Sequence, residues 1–504
     1  MSGVKKLKYC CNGQWLESST DKWMDVYDPS RGEVIAQAPC CTKKELEQVL
    51  DAAQTAYKIW SKTPVIKRTQ VLFKFRELVV QHMEDLTRLV AQENGKVWSE
   101  AEGDILKVKE PVELACGAAT LMQGESLLNT SAGYDTVLYR EPVGVFAGIA
   151  PFNFPGMIPM GWMTPLCIAT GNCIVIKASS STPLTSMRLL ELLIEAGLPN
   201  GVVSIVTTDR NTADMLLTSP IVKGISFVGT TAVGKGIYGK AAAEGKRVQA
   251  LCEAKNHALV MDDAVLERTA KGIINSAFGC AGERCMALPV VAAQEGIADR
   301  LVEALIKYAK ALKVGCAYDK ASELGPVVNQ KHKDNILNWI EKGIKEGAKL
   351  VLDGRGVKVP GMEKGFFIGP TILDQVTEDM TVGQQEIFGP VLCIKRVKTF
   401  EEGVALINRN PFANGAVIYT SSGFYARNFA VNIDGGMVGI NVGIPVPVGV
   451  FPFSGHKNSF FGDLHTLGKD GVRFFTETKV VTSTWFDESS AGKKVDTWDG
   501  SIAR

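Results

Sequence analysis

Five apolar runs within residues 143–251 decide the fold: VGVFAGI (143–149), CIVIK (173–177), VVSIV (202–206), GISFV (224–228) and RVQAL (247–251). Segments of helical spacing lie between them, over 181–196, near 211–217 and from Ala232 onward. A strand covered by helices on both faces needs apolar side chains on both faces, so short continuous apolar runs alternating with helices predict a parallel, doubly wound sheet. A second alternation occupies about 264–444. ERTAKGIINSAFGC (267–280) and IADRLVEALIKYAKAL (297–312) read as helices, and IGPTIL (368–373), VLCIKRV (391–397) and GAVIYT (415–420) as strands. The expected class is α/β with two such units. Upstream, Thr42 with Glu45 three positions on forms a capping box opening a helix over 42–60, and 68–93 follows at helical spacing, so the first 120 residues read mainly as helix. The polar, aperiodic segment 487–504 reads as a mobile tail.

Composition narrows the function. The chain has 504 residues, enough for roughly three domains by the usual domain size of about 150 residues. Its 55 Lys and Arg nearly cancel 54 Asp and Glu, and no long basic block occurs, so a nucleic-acid partner is not expected. Twelve cysteines are dilute in a chain of this length and follow no secreted spacing, which suggests reduced thiols and a cytoplasmic setting. Five histidines, none in an HExxH arrangement, give no reason to expect a metal. The start lacks the apolar run of a signal peptide. Residues 144–176 carry no charge, yet Pro151, Pro155, Pro159 and Pro165 would leave backbone groups unpaired in lipid, so buried loop and helix are expected and no membrane.

Three segments could carry chemistry. FVGTTAVG (227–234) joins a strand to a helix through glycines, as a phosphate cradle requires, although such turns are common in purely structural roles and the pattern is not GxGxxG. Lys177 ends a strand and precedes Ser179, Ser180 and Ser181; it could meet a ribose or phosphate, or lie in solvent. In SAFGCAGERCMA (276–287), Cys285 follows a glycine turn and Arg284, and a nearby cation with exposed amides would lower its thiol pKa. Cysteine is also an ordinary small core residue. The G-x-S-x-G elbow and the G-x-x-x-x-G-K-[ST] loop are absent from the sequence, which removes the sharpest markers of hydrolysis and phosphoryl transfer.

Taken together, APFNFP (150–155), VIKASS (175–180), FVGTTAVG, GERCMA (282–287) and EIFGPVL (386–392) resemble, in order and over nearly the whole chain, the aldehyde dehydrogenase superfamily. The resemblance implies that Cys285 is the nucleophile and that Asn153, with the Cys285 amide, forms the oxyanion hole. Phe152, Lys177, Ser180, Gly229, Thr230, Gly234, Leu251, Glu386 and Phe388 would line a nicotinamide dinucleotide site. It implies three parts: a dinucleotide-binding domain over 1–122 and 144–254, a catalytic domain over 255–446, and an oligomerisation element over 123–143 and 470–486 that joins subunits into a dimer or tetramer.

Hydrolytic members of that superfamily carry a general-base glutamate in an LELGGK-type segment. Aligned through Lys255 of ALCEAK (250–255), the glutamate position falls on Leu251, which cannot deprotonate water. Glu253, two residues on, would serve only in a shifted register. This loss, together with AKNH (254–257), ERCMA (283–287), INVGIPVPVGVF (440–451) and SFFGD (459–463), is similar to the coenzyme A-acylating methylmalonate-semialdehyde dehydrogenases. The resemblance implies oxidation of a carboxylated semialdehyde to an acyl-CoA with loss of carbon dioxide. Arg284 and Lys107 stand where that group contacts the substrate's anionic group, Lys107 in place of an arginine and therefore without bidentate geometry. Ser180 replaces a glutamate that commonly holds the adenosine ribose, so NADP stands beside NAD as cofactor. The alternatives are a hydrolytic semialdehyde dehydrogenase releasing a free acid and a non-catalytic structural relative.

Overall fold

The computed structural model describes residues 4–131 and 133–491, so of the expected tail the segment 492–504 lies outside the described residues. Two large sheets organise the chain. In the first, Val145–Ile149, Cys173–Lys177, Val203–Val206, Val222–Val228 and Arg247–Leu251 run parallel. Their side chains are almost all buried, as strands shielded on both faces must be. In the second, Thr371–Asp374, Val391–Val397, Val290–Gln294, His257–Val260, Gly415–Tyr419 and Met437–Ile440 lie side by side in that order, all parallel, with Lys349–Leu352 antiparallel at one edge. The two alternating units expected from the sequence are both present.

The N-terminal part differs from its reading as mainly helix. Among the described residues five strands precede the first helix, Lys43–Trp60: Lys5–Lys6, Tyr9–Cys11, Gln14–Leu16, Trp23–Asp28 and Glu33–Pro39. The second and third form a hairpin on the edge of the first sheet, turned by Asn12 (φ 50°) and Gly13 (φ 74°). An Asn-Gly pair at positive φ is a strong hairpin signal; strands of three residues are too short to show a periodicity. The C-terminal part also departs from the expected division. Phe460–Gly462 adds a strand beside Arg247–Leu251, and helix Gly468–Phe474 buries Val472 and Phe474 in the core of the first unit. Only Thr476–Ser483 joins Ser126–Ser131 and Tyr134–Pro142 in a separate three-stranded antiparallel sheet. That sheet is largely exposed.

The charge-free stretch is buried as strand Val145–Ile149, a wide helical turn Met157–Met163, helix Pro165–Ala169 and strand Cys173–Lys177. Among the described residues no helix is long and apolar enough to cross a membrane.

Candidate active site

In the first sheet the chain proceeds from Val145–Ile149 outward through Cys173–Lys177 and Val203–Val206, then returns to place Val222–Val228 on the opposite side of Val145–Ile149. At such a reversal the connections leave in opposite directions and open a crevice beyond the strand C-termini. Ile149 leads into Phe152 and Asn153, Lys177 closes the next strand, and Val228 leads into Gly229 and Thr230. A cavity of about 340 Å³ lies there, bordered by Ile149, Lys177, Arg210, Leu217, Val233 and Ile237. Its lining is largely apolar, with Lys177, Arg210 and the Lys240–Asp214 ion pair as the charged groups. Burial lowers the Lys177 pKa.

The glycines of FVGTTAVG allow close approaches within the protein itself. A Cβ on Gly234 would stand 2.3 Å from Cys252 Sγ, and one on Gly229 would stand 2.5 Å from the Phe227 ring. They let helix Thr231–Ala243 pack closely on its sheet. The first amide of that helix is taken as well, since Thr231 N–H donates to Glu253 Oε2 at 2.8 Å. The helix terminus thus already holds an anion of the protein's own.

Cys285 sits between helix Leu266–Phe278 and strand Val290–Gln294, after a turn in which Cys280 and Ala281 both have φ of 51°. Gly282 (φ 74°) completes the turn, and a Cβ there would meet the Gly389 carbonyl oxygen at 2.1 Å, so the turn packs on the EIFGP loop. Asn153 Nδ2 donates to the Glu283 carbonyl at 3.0 Å, which brings the PFNFP loop against the turn. Asn256 Nδ2 donates to the carbonyls of Cys285 (2.9 Å) and Ala287 (2.8 Å). The sulfur's residue is half-buried rather than sealed.

The expectation of a lowered thiol pKa is reversed. Burial pushes the Cys285 thiol up to about 12, and the Glu386 carboxylate adds to that; the amides of Cys285 and Met286 and the charge of Arg284 act in the other direction without winning. Arg284 has limited effect because its own charge is countered: Nη2 donates to Glu100 Oε1 at 3.2 Å and Nε to Cys280 Sγ at 3.1 Å. Lys107 is countered too, its ammonium held by both Glu110 oxygens at 3.0 and 2.8 Å.

Glu386 is itself raised to about 8, by burial first and the Glu253 charge second, against the Ala254 amide it accepts at 3.1 Å and the charge of Lys255. Phe388, two residues on, is in the left-handed region (φ 61°), and its carbonyl bonds His332 Nε2 at 2.7 Å. Phe152, His332 and Phe388 form an aromatic triangle with centroids 5.8–6.2 Å apart. Ser180 is half-buried beyond Lys177. Leu251 is buried, paired with Val228 on one side and Phe460 on the other, and its carbonyl accepts the Gly229 amide.

The aldehyde dehydrogenase family profile matches residues 15–481. The chain belongs to the aldehyde dehydrogenase family. Among aldehyde dehydrogenases it is 51% identical over 485 residues to malonate-semialdehyde dehydrogenase 1 of Geobacillus thermodenitrificans, covering 96% of this chain and all of that one. It is 48% identical to the malonate-semialdehyde dehydrogenase of Listeria monocytogenes, covering 96% and 99%. The crystal structure of methylmalonate-semialdehyde dehydrogenase from Oceanimonas doudoroffii matches with a TM-score of 0.95 at 43% identity, covering 96% of this chain and 99% of that one. A Sinorhizobium meliloti chain solved in complex with NAD matches with a TM-score of 0.95 at 40% identity, covering 97% and 99%.

Sequence reasoning missed several residues that shape this aldehyde dehydrogenase site. Asn256 was visible as part of AKNH but had no role, and its two carbonyl bonds give it one. Asp104 accepts the Met157 amide at 2.7 Å and pairs with buried Lys96 at 2.9 Å, bracing the loop after Asn153. Glu93 accepts the amides of Leu184 and Thr185, and burial raises it to about 7. Nothing local marks these acids as buried; they lie on helical segments that read as solvated faces.

Proposed function

We propose that this chain oxidises a carboxylated semialdehyde of the malonate or methylmalonate type to an acyl-CoA, with reduction of a nicotinamide dinucleotide. The observation that carries this reading is the fate of the two candidate bases. Leu251 occupies the position of the hydrolytic base, and the Glu253 carboxylate is engaged by the Thr231 amide. A leucine at the base position and a neighbouring carboxylate that accepts a backbone amide support removal of the acyl group by a nucleophile that ionises more readily than water, the thiol of coenzyme A. The names of relatives near 50% identity support the substrate class.

In this reading the Cys285 thiol loses its proton to solvent and the sulfur attacks the aldehyde carbon, forming a carbon–sulfur bond and an oxyanion. Asn153 Nδ2, held 3.0 Å from the Glu283 carbonyl by one of its two hydrogens, keeps the other for that oxyanion, together with the Cys285 amide. As the oxyanion collapses, the carbon–hydrogen bond breaks and a thioester remains on Cys285. A bound nicotinamide supplies the chemistry of hydride acceptance. Lys177 and Ser180 would hold its adenosine end, Glu386, Phe388 and Phe152 the reactive end, and Gly229, Thr230, Gly234 and Leu251 the walls between; the 340 Å³ cavity beside Lys177 at the sheet's reversal supports putting the adenine there.

Loss of carbon dioxide passes the carbon–carbon electron pair into the thioester carbonyl, and the enolate takes a proton from solvent. The thiol of coenzyme A then attacks, and the Cys285–carbon bond breaks to return the sulfur to the enzyme. Arg284 and Lys107 are the residues for the substrate's anionic group. Arg284 has a guanidinium nitrogen beyond those bonded to Glu100 and Cys280 for that group, and at Lys107 the substrate would share the ammonium with Glu110. Twelve unpaired cysteines support a reducing, cytoplasmic setting. The exposed sheet with Leu128, Val480 and Val481 supports assembly with further copies of the chain.

The test is product analysis with malonate semialdehyde and methylmalonate semialdehyde, NAD or NADP, with and without coenzyme A. Acyl-CoA formation dependent on coenzyme A is expected, with only a single burst of hydride transfer in its absence. Rapid steady release of free acid without coenzyme A would overturn the reading.

A further inference from the structure

Helix Trp98–Cys116 carries two carboxylates one turn apart that reach different loops of the site. Asp104 holds the segment after Asn153 through the Met157 amide. Glu100 holds the nucleophile turn: its Oε1 accepts the Cys280 amide at 2.7 Å and the Arg284 guanidinium at 3.2 Å. Arg284 closes the ring by donating from Nε to Cys280 Sγ at 3.1 Å. The side chains of Arg284 and Glu100 are only 16% and 13% exposed, so water screens the pair weakly.

The turn needs such a clamp. Cys280 and Ala281 both occupy the left-handed region, which residues with a Cβ keep only when their surroundings impose it. Arg284 lies directly over Gly279, where a Cβ would stand 2.5 Å from Nη1. A cavity of about 470 Å³, bordered by Glu100, Phe278, Gly279 and Arg284, gives the turn room to relax if the clamp is removed.

We propose that Glu100 is a positioning residue for the nucleophile: by holding the Cys280 amide and the Arg284 guanidinium at once, it keeps the strained turn in the conformation that sets Cys285 beside Asn153. It also compensates the Arg284 charge that faces the sulfur. This inference rests on Cys285 being the nucleophile. The charged groups facing that thiol are Glu386, from the EIFGP loop, and Arg284, from its own turn, with Glu100 acting through Arg284.

Wild type, Glu100→Gln and Glu100→Ala are compared by two measurements. The first is iodoacetamide labelling of Cys285 as a function of pH, read by peptide mass spectrometry. The second is the single-turnover hydride burst with malonate semialdehyde. With Arg284 no longer compensated, the labelling midpoint moves down by roughly half a unit in both variants. The burst slows about tenfold or more in Glu100→Ala. It is partly restored in Glu100→Gln, whose amide oxygen still accepts the Cys280 N–H. A burst in Glu100→Ala within twofold of wild type, or a midpoint unmoved in both variants, overturns the inference. If Glu100→Ala does not fold, the Glu100→Gln midpoint alone decides it. A wild-type Cys285 that neither labels nor supports the burst overturns the nucleophile assignment itself, a result separate from the others.

Discussion

Replacing Asp104 by alanine tests how the loop carrying Asn153 is held. Asp104 has two partners: Lys96 Nζ at 2.9 Å, in a pair whose side chains are 0% and 1% exposed, and the Met157 amide at 2.7 Å. Lys96 also lies 3.5 Å from the centroid of the Phe154 ring, next to Asn153. Removing one member of a buried pair leaves the other charge without compensation and costs about 3–5 kcal/mol. Orphaning the buried Met157 amide adds about 1–3 kcal/mol. In a chain of several cooperative units the relevant quantity is local opening of the 153–163 segment rather than global unfolding. Taking about 4 kcal/mol at the low end, amide hydrogen exchange of a peptide covering that segment should accelerate about 10³-fold in Asp104→Ala. In the double variant Lys96→Met/Asp104→Ala no uncompensated charge remains, so only the amide term persists and exchange should exceed wild type by about ten- to a hundredfold. Exchange in Asp104→Ala within tenfold of wild type, or a double variant no slower than the single one, would refute the assignment of the pair as the brace of this loop.

Two further outcomes follow from the site. Leu251→Glu restores a carboxylate at the hydrolytic position, and free-acid release in the absence of coenzyme A should rise about tenfold or more, most at alkaline pH because the new carboxyl is buried; an unchanged rate would show that Leu251 does not face the thioester. Glu386, lifted from the usual 4.5 to about 8 mainly by burial, keeps a proton in the folded state that the unfolded chain releases. Its contribution to stability is therefore full below about pH 4.5 and is lost as pH rises through about 8. Relative to wild type, the thermal midpoint of Glu386→Gln should thus increase between pH 5 and pH 9, and a difference independent of pH would contradict the buried, protonated carboxyl.

The segments of the candidate site were legible because their signals are local. Strand, turn and helix in FVGTTAVG, the Asn of PFNFP, and Cys285 after its glycine turn are each defined by a few consecutive residues; the structure bonds Asn153 to the Glu283 carbonyl of the cysteine turn and brings the Glu386 charge to bear on Cys285. The short N-terminal strands were not found by periodicity, although the Asn12-Gly13 turn that joins two of them is itself a local signal.

The amino-acid sequence by itself determined the alternation of apolar runs and helices, and with it the parallel sheets, because burial on both faces acts on every residue of a strand. It also carries a cysteine after a glycine turn, and its resemblance to the family sets a leucine at the position of the hydrolytic base. Only the tertiary structure decided what that chemistry experiences. Glu100 lies 184 positions from Arg284, and Glu253 lies 22 positions from Thr231. Burial and the approach of Glu386 across the fold raise the thiol's proton affinity, and a distant amide takes one oxygen of Glu253. Electrostatic and hydrogen-bond energies depend on distance in space and on exclusion of water, neither of which is encoded in the order of neighbouring residues.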